Sequence, residues 1–259
     1  MSAAPFLSTL WMTTVFAVGA FVMRGAGCTI NDLLDRNLDN QVARTCERPI
    51  TSGRVSVKQA LWFLAAQLAV GCGVLLCLPL DCFLLGASSL LLVGTYPLFK
   101  RFTHYPQIVL SACFNWGALL GFPAMGVWAW PAMIPLYLSG FFWCMHYDTI
   151  YAHQDKKFDV KAGIGSTALA WGTHSKKVFT GLTVAQMGCY TLSGFLAGMG
   201  PGFYLGALAG GYRLFKMIKD VDLDDPANCW YWFKNNINTG HVFFLGIFVD
   251  YLLRLFGFL

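Results

Sequence analysis

Eight long apolar stretches limit the fold of this chain more than any other feature. Each approaches the roughly 20 residues that a helix needs to cross a bilayer. They occupy residues 6–30, 57–80, 82–99, 106–128, 131–150, 177–199, 202–219 and 237–258. Only 12% of the residues are charged, about half the share of a soluble domain. We therefore predict an all-α fold, a polytopic bundle of about eight transmembrane helices that forms a single domain over residues 1–259.

The charged residues are distributed asymmetrically. Threading the eight helices alternately through a membrane places four connections on one face, namely 31–56, 100–105, 151–176 and 220–236. All but one of the 18 Lys and Arg residues lie in or beside these connections, and Arg254 lies at the opposite face. The positive-inside rule makes this the cytoplasmic or mitochondrial matrix face. The net charge of +5 reflects this asymmetry, so no nucleic-acid partner is expected.

A first acidic cluster follows the first apolar stretch directly. With helical geometry, its oxygen-bearing side chains fall within an arc of about 100°. The cluster comprises Asn31, Asp32, Asp35 and Asp39. Carboxylates beside membrane segments are costly and usually serve a function. The alternative is a solvated helix end, but exposed ends rarely align so many carboxylates on one face.

A second acidic cluster follows the fifth apolar stretch. Asp148, Asp155 and Asp159 fall within about 40° of one another on a helix. Two faces of oxygen ligands, far apart in sequence, predict a magnesium site for a phosphorylated substrate.

Basic residues near both clusters fit such a substrate, because guanidinium forks match phosphate oxygens. The alternative is that they only set topology or pair with Asp. These residues are Arg44, Arg48, Arg54, Lys100, Arg101, Lys156, Lys157 and Lys161. Arg24 lies about two helical turns before Asn31, inside an apolar stretch and beside two glycines, so it needs an anionic partner. That partner is either a ligand or a structural carboxylate.

Two segments resemble the UbiA family of intramembrane aromatic prenyltransferases. The first runs from Gly25 to Asp39 and continues in Arg44-Thr45 and Arg48-Pro49. The second runs from Tyr147 to Asp155 and continues to Asp159 and Gly163. Residues 95–101 and 115–118 are also similar, so the resemblance covers nearly the whole chain.

The resemblance implies a helical fold, normally of nine helices, with two magnesium-binding motifs and a lateral opening for a prenyl tail. It implies Asn31, Asp35 and Asp39 as ligands from the first motif, and Asp148, Asp155 and Asp159 from the second. The catalytic carboxylates would be Asp35, Asp39, Asp148 and Asp155. Arg24 matches a position that faces the carboxylate of an aromatic acid. The substrate-binding residues would be Arg24, Arg44, Arg48, Lys100, Tyr147 and Lys157.

The implied reaction is Mg2+-dependent transfer of a polyprenyl chain from polyprenyl diphosphate to the ring of 4-hydroxybenzoate, in ubiquinone biosynthesis. The implied location is the mitochondrial inner membrane, with the active-site loops on the matrix side. The alternative location is a bacterial inner membrane, with these loops in the cytoplasm. Other enzymes of the same pathway are expected partners besides the lipid bilayer.

Three departures from the family pattern count against this implied activity. The chain is expected to lack the family's first helix, which usually carries another Arg near the substrate. Phe158 replaces a common acidic residue, and Gly165 stands where a Lys often precedes Ser-Thr. Three alternatives stay open: another UbiA-type aromatic prenyltransferase, a cation-coupled membrane transporter, and an inactive shortened isoform.

Overall fold

The computed structural model describes residues 4–40, 45–99, 103–163 and 165–259, and all regular elements within these ranges are helical. The helices are α1 (Phe6–Asp39), α2 (Val57–Leu76), α3 (Leu80–Phe99), α4 (Pro106–Phe114), α5 (Gly117–Ala124), α6 (Trp130–Ala162), α7 (Thr167–Trp171), α8 (Ser175–Leu196), α9 (Pro201–Asp220) and α10 (Pro226–Leu255). Three segments are long and apolar enough to cross a membrane by length and composition: Phe6–Asn37, Val57–Leu76 and Pro106–Ala124. The all-α membrane fold that the apolar stretches predict is confirmed.

Three of the predicted spans extend as helices beyond their apolar residues. Helix α10 begins at Pro226 rather than at residue 237, within the predicted connection 220–236. Helix α1 runs on through the first acidic cluster to Asp39, and α6 runs through the second cluster to Ala162. No Gly or Pro interrupts either extension, and α6 ends where Gly163 adopts a left-handed φ of 65°, which is a common helix terminator. Helical spacing within each cluster, assumed from the sequence, is therefore correct.

The predicted span 106–128 is not one helix but two. Helix α4 ends at Phe114, and α5 begins at Gly117. At the break, Trp116 Nε1 donates a hydrogen bond to the Leu85 carbonyl oxygen of α3 at 2.7 Å. Asn115 fits here because Gly140 of α6 has no side chain, since a Cβ there would lie 2.2 Å from Asn115 Oδ1. These tertiary contacts leave no periodic signal in the sequence.

The main hydrophobic core lies among α6, α8, α9 and α10. Its buried side chains include Ile150, Phe179, Leu214 and Phe243. Helices α9 and α10 approach each other closely at Gly206 and Gly246, where a Cβ on Gly206 would lie 2.6 Å from the Gly246 Cα. Small residues at such crossings let membrane helices pack backbone to backbone.

Contacts at the two ends of the bundle agree with the predicted threading. At one end, buried Asp250 of α10 accepts hydrogen bonds from the Gly200 N–H at 2.9 Å and from Arg254 Nε at 3.1 Å. At the other end, Lys156 of α6 pairs with Asp224 in the connection between α9 and α10. The connections near Lys156 and Asp224 therefore share a face, as the charge distribution predicts.

Candidate active site

The first acidic cluster occupies the last turns of α1. Asp35 and Asp39 are buried, with relative exposures of 5% and 8%. The connection to α2 folds back over this end of the helix, because the Thr45 hydroxyl donates to the Asp39 carbonyl oxygen at 3.0 Å. The carboxylates are therefore held beneath a loop rather than spread into solvent, which argues against a merely solvated helix end.

Arg48 in this loop bridges two of the predicted ligands. Its Nη1 atom lies 2.8 Å from Asp32 Oδ1 and 2.9 Å from Asp39 Oδ2. Charge-assisted contacts of this length are among the stronger hydrogen bonds in proteins. Arg48 thus points into the acidic cluster, whereas Arg54 is exposed and contacts Glu47 and Ser52. The sequence left the orientation of both arginines open.

The protonation of Asp39 reflects these surroundings. Burial raises the pKa of the Asp39 carboxyl, the Arg48 guanidinium opposes this rise, and the neighbouring charge of Asp35 adds to it. A further cation beside this carboxyl would favour its ionised form, because a nearby opposite charge lowers a carboxyl pKa. The ionised form of Asp39 therefore depends on nearby positive charge, which Arg48 supplies in this structure.

The second acidic cluster lies along the last turns of α6, where Asp148, Asp155 and Asp159 are all partly buried. Lys156 points away from this cluster, because it pairs with Asp224 and donates to the Leu223 carbonyl oxygen at 3.1 Å. Lys156 therefore holds α6 to the α9–α10 connection. Lys157 is exposed, and its predicted role in binding substrate stays a prediction.

His153, in the same segment, is buried and contributes to packing between α6 and α8. It is 3% exposed and shares a hydrogen bond of 2.9 Å with the Ser175 hydroxyl of α8. Burial, together with the nearby Lys156 charge, lowers the pKa of His153 to about 4. The ring is therefore neutral near pH 7 and supplies no positive charge to a phosphate.

Arg24 faces the space between α1, α4 and α6. Its guanidinium lies over the Phe114 ring, 5.4 Å from the centroid, and within electrostatic range of Tyr147. No carboxylate in the described part of the chain lies within ion-pair distance of Arg24, so the structural pairing considered from the sequence is not found there. The sequence did not indicate Phe114 as a site residue. No local pattern marks an aromatic side chain on α4 that contacts a cation on α1.

Two further predicted residues, Arg44 and Lys100, lie outside the described residues. Tyr147 is partly buried, and its ring lies 5.9 Å from that of Trp143 and 6.0 Å from that of Phe233 between centroids. Tyr147 is therefore fixed in orientation within the same space that Arg24 faces.

The carboxylate oxygens of the acidic clusters suit a magnesium ion that is also bound by a phosphorylated substrate. Within the described ranges, no three His, Cys, Asp or Glu side chains form a group that could hold a metal by themselves. Magnesium bound with a phosphorylated substrate needs only one or two carboxylates, since phosphate oxygens and water complete its octahedron. Asp32 and Asp39 are close enough to share one cationic group. The predicted set of ligands itself stays a prediction.

Close packing explains why Gly165 stands where the family often has a Lys. A Cβ at this position would lie 2.2 Å from the Thr103 carbonyl oxygen and 3.0 Å from the His104 Cα. No side chain fits there without displacing backbone, so a Lys at position 165 is incompatible with this packing. Any phosphate contact that a Lys would supply must come from another residue.

A comparison with protein families identifies the chain. Residues 1–247 match the UbiA prenyltransferase family. The chain belongs to this family. The family that the two acidic motifs indicate is therefore confirmed, whereas the role of the two clusters as its magnesium-binding motifs stays a prediction.

Two relatives of this UbiA protein carry the same name. It is 62% identical over 261 residues to 4-hydroxybenzoate polyprenyltransferase, mitochondrial, of Saccharomyces cerevisiae. The aligned region covers 100% of this chain and 70% of the relative. It is 48% identical over 249 residues to the protein of that name from Schizosaccharomyces pombe, covering 95% of this chain and 70% of the relative.

Solved structures of UbiA homologues share the fold. An apo structure from Aeropyrum pernix K1 has a TM-score of 0.79 at 20% identity and covers 96% of this chain and 91% of its own. A homologue from Archaeoglobus fulgidus, bound to GPP and Mg2+, has a TM-score of 0.68 at 20% identity, with coverage of 97% and 89%. At this identity the likeness establishes the helical arrangement alone.

Proposed function

We propose that this chain transfers a polyprenyl group from polyprenyl diphosphate to the ring of 4-hydroxybenzoate, with Mg2+. The observation that carries the proposal is 62% identity, over the whole chain, to a yeast enzyme named for that acceptor. The geometry supports it, since Arg48 points into the first carboxylate cluster. The second cluster follows the fifth apolar stretch, on the face to which the charge distribution also assigns the first cluster. Arg24, without a carboxylate partner among the described residues, adds a site for an acidic acceptor.

The diphosphate would be held at the carboxylate end of the bundle. Mg2+ on the oxygens of the two Asp clusters would stabilise the negative charge that grows on the diphosphate as the allylic C–O bond breaks. Arg48 lies where it can contact both the carboxylates and the diphosphate oxygens, while Lys157 is exposed on the same helix as the second cluster. These cations favour departure of the leaving group because they act on charge that develops during ionisation.

The acceptor would bind with its carboxylate against Arg24. A charge-assisted contact there fixes the ring, and Phe114 beneath the guanidinium restricts its orientation. The ring carbon ortho to the phenol would then attack the allylic carbocation. Transfer of the ring proton to the departed diphosphate, or to a carboxylate of the Asp clusters, would restore aromaticity. The apolar side chains around this space exclude water that would otherwise capture the cation.

An apolar cavity of about 420 Å3 offers room for the prenyl tail. It lies between the first turns of α1, helix α5 and the end of α10, and its lining includes Met12, Phe16, Met125 and Tyr251. Phe16 is 19 residues before Asp35, or about 28 Å along the helix. A long polyprenyl chain would extend over such a distance, whereas its diphosphate remains at the carboxylates.

We further propose that the protein lies in the mitochondrial inner membrane with the carboxylates facing the matrix. Both relatives described above are named as mitochondrial, and the basic residues concentrate on the carboxylate face, which the positive-inside rule assigns to the matrix. A cation-coupled transporter fits less well, because its carboxylates would be expected near the bilayer midplane.

The proposal is tested by assaying the purified chain for prenylated 4-hydroxybenzoate by mass spectrometry, with Mg2+ or with EDTA. We expect product only with Mg2+, and little from the double variant Asp35→Asn/Asp155→Asn. Asp224→Asn is the matched control, since its carboxylate lies on the same face but is 87% exposed. Absence of product from the folded chain, or equal product from the double variant, would refute the proposal.

A further inference from the structure

A polar cavity lies between α9 and α10, apart from the two acidic clusters. Its volume is about 90 Å3, several times the roughly 10–15 Å3 that one water requires. Arg213, Lys216, Tyr231 and Asn235 supply its main polar groups, and none of the lining residues is acidic. The cavity is therefore a positively charged recess, which the proposed prenyl transfer does not use.

The cations of this recess lack acidic partners. Arg213 Nη2 donates to Asn235 Oδ1 at 2.9 Å, but Arg213 Nε is buried and has no hydrogen-bond acceptor. Neither Arg213 nor Lys216 forms an ion pair within the part of the chain that the structure describes. A buried donor without an acceptor is unfavourable, and an anion within reach of Arg213 Nε would satisfy it.

The position of the recess near the membrane interface favours an anionic lipid headgroup as its ligand. Arg213 lies seven residues before the end of α9 at Asp220, or about 10 Å along the helix, on the side of the bilayer that carries the acidic clusters. Tyr and Trp side chains, which are typical of membrane interfaces, line the recess at Tyr231 and Trp232. A residue this close to the end of a transmembrane helix is near the interface, where phospholipid headgroups lie.

An apolar stripe continues from the recess along the surface of α9. Leu205, Tyr212 and Lys216 fall within an arc of about 40°. Leu205 is 68% exposed and Tyr212 is 70% exposed, so both face the surroundings rather than the core. This stripe gives acyl chains a surface that leads directly from the cationic end.

We propose that this recess binds the phosphate of an anionic phospholipid. The guanidinium of Arg213 and the ammonium of Lys216 contact the phosphate oxygens, and the acyl chains lie along Leu205 and Tyr212. Basic recesses between transmembrane helices are suited to anionic headgroups, because the charge attraction adds to burial of the chains. The same phosphate chemistry would also fit inorganic phosphate, and the experiment separates the two.

Native mass spectrometry of the purified chain tests the proposal, with phosphatidylglycerol, phosphatidylcholine and inorganic phosphate as separate probes. We expect one phosphatidylglycerol to bind, and its affinity to fall roughly ten-fold or more in Arg213→Gln/Lys216→Gln. The control Lys58→Gln/Lys177→Gln removes the same charge from exposed positions on the same face and should bind like the wild type. Phosphatidylcholine should bind more weakly than phosphatidylglycerol to the wild type.

Three results would overturn the proposal. These are equal binding of phosphatidylcholine, unchanged binding in the Arg213→Gln/Lys216→Gln variant, and displacement of the lipid by millimolar inorganic phosphate, which would make the recess a free-phosphate site. If the double variant does not fold, Lys216→Gln alone serves, since Lys216 is exposed and forms no ion pair among the described residues. Its affinity should still fall several-fold, and an unchanged affinity would count against the proposal.

Discussion

Replacing Arg48 with Gln tests how the first acidic cluster is held together. The Arg48 side chain alone is 28% exposed, and the side chains of the two residues that it bridges, Asp32 and Asp39, are 23% and 12% exposed. Gln keeps a polar side chain but removes the charge, so two partly buried carboxylates lose their counter-ion. Removal of one partner from a buried ion pair is far more destabilising than loss of a surface pair.

The expected magnitude follows from the two contacts. A hydrogen bond to a charged group contributes about 1.5–3 kcal/mol, and residual water access reduces the effect of losing both to roughly 2–4 kcal/mol. For a chain of this length, each kcal/mol corresponds to a change in Tm of about 2–4 °C. We therefore expect Arg48→Gln to lower the Tm by roughly 5–15 °C in EDTA.

Magnesium distinguishes a metal-binding cluster from a purely structural ion pair. If the two carboxylates can hold Mg2+, millimolar Mg2+ should restore at least half of the lost Tm, because the divalent cation replaces the missing charge. The assay is thermal unfolding of the purified chain across a Mg2+ titration. Arg54→Gln is the control, since the Arg54 guanidinium lies 4.0 Å from the Glu47 carboxylate and both side chains are largely exposed. A Tm deficit that Mg2+ leaves unchanged, or no deficit at all, would refute the reasoning.

Three further predictions concern the reaction and the topology. Arg24→Ala should raise the KM for 4-hydroxybenzoate roughly 10- to 150-fold, with Arg24→Lys recovering part of it; a rise for the diphosphate instead would contradict the assignment. Asp35→Asn should lower turnover on the order of 100-fold or more while membrane insertion persists, whereas near-normal rates would exclude Asp35 from the site. Cys substituted singly at Ser52 and at Thr173, both exposed, should label from the same side of the membrane in a cysteine-free background; labelling from opposite sides would overturn the threading.

Much of the fold and part of the site could be predicted from local sequence patterns. Continuous apolar runs locate the helices, because burying backbone in lipid requires internal hydrogen bonds. The carboxylates at Asp35 and Asp39 share a buried helical end, since four-residue spacing returns a side chain to the same face. Both inferences depend only on residues that are neighbours in sequence.

Features that depend on distant residues could not be predicted. The break at Asn115 requires Gly140 on another helix, and the inward orientation of Arg48 requires a loop that folds back over α1. From the sequence alone, Gly165 is only a departure from the family pattern. The structure gives the reason, since the Thr103 backbone leaves no room for a side chain at position 165. Such contacts are fixed by tertiary packing, for which a single sequence carries no periodic signal.

The close crossing of α9 and α10 has a consequence for inherited variation in this protein. Gly206 and Gly246 lie backbone to backbone, so even one added methyl group must push the helices apart. Overpacking of this kind costs about 1–3 kcal/mol, and stability losses of 1–2 kcal/mol can change the cellular amount of a protein several-fold. A Gly206→Val allele should therefore reduce the number of enzyme molecules in the membrane while each folded molecule keeps its turnover, so the defect would be measured by immunoblot rather than by kinetics.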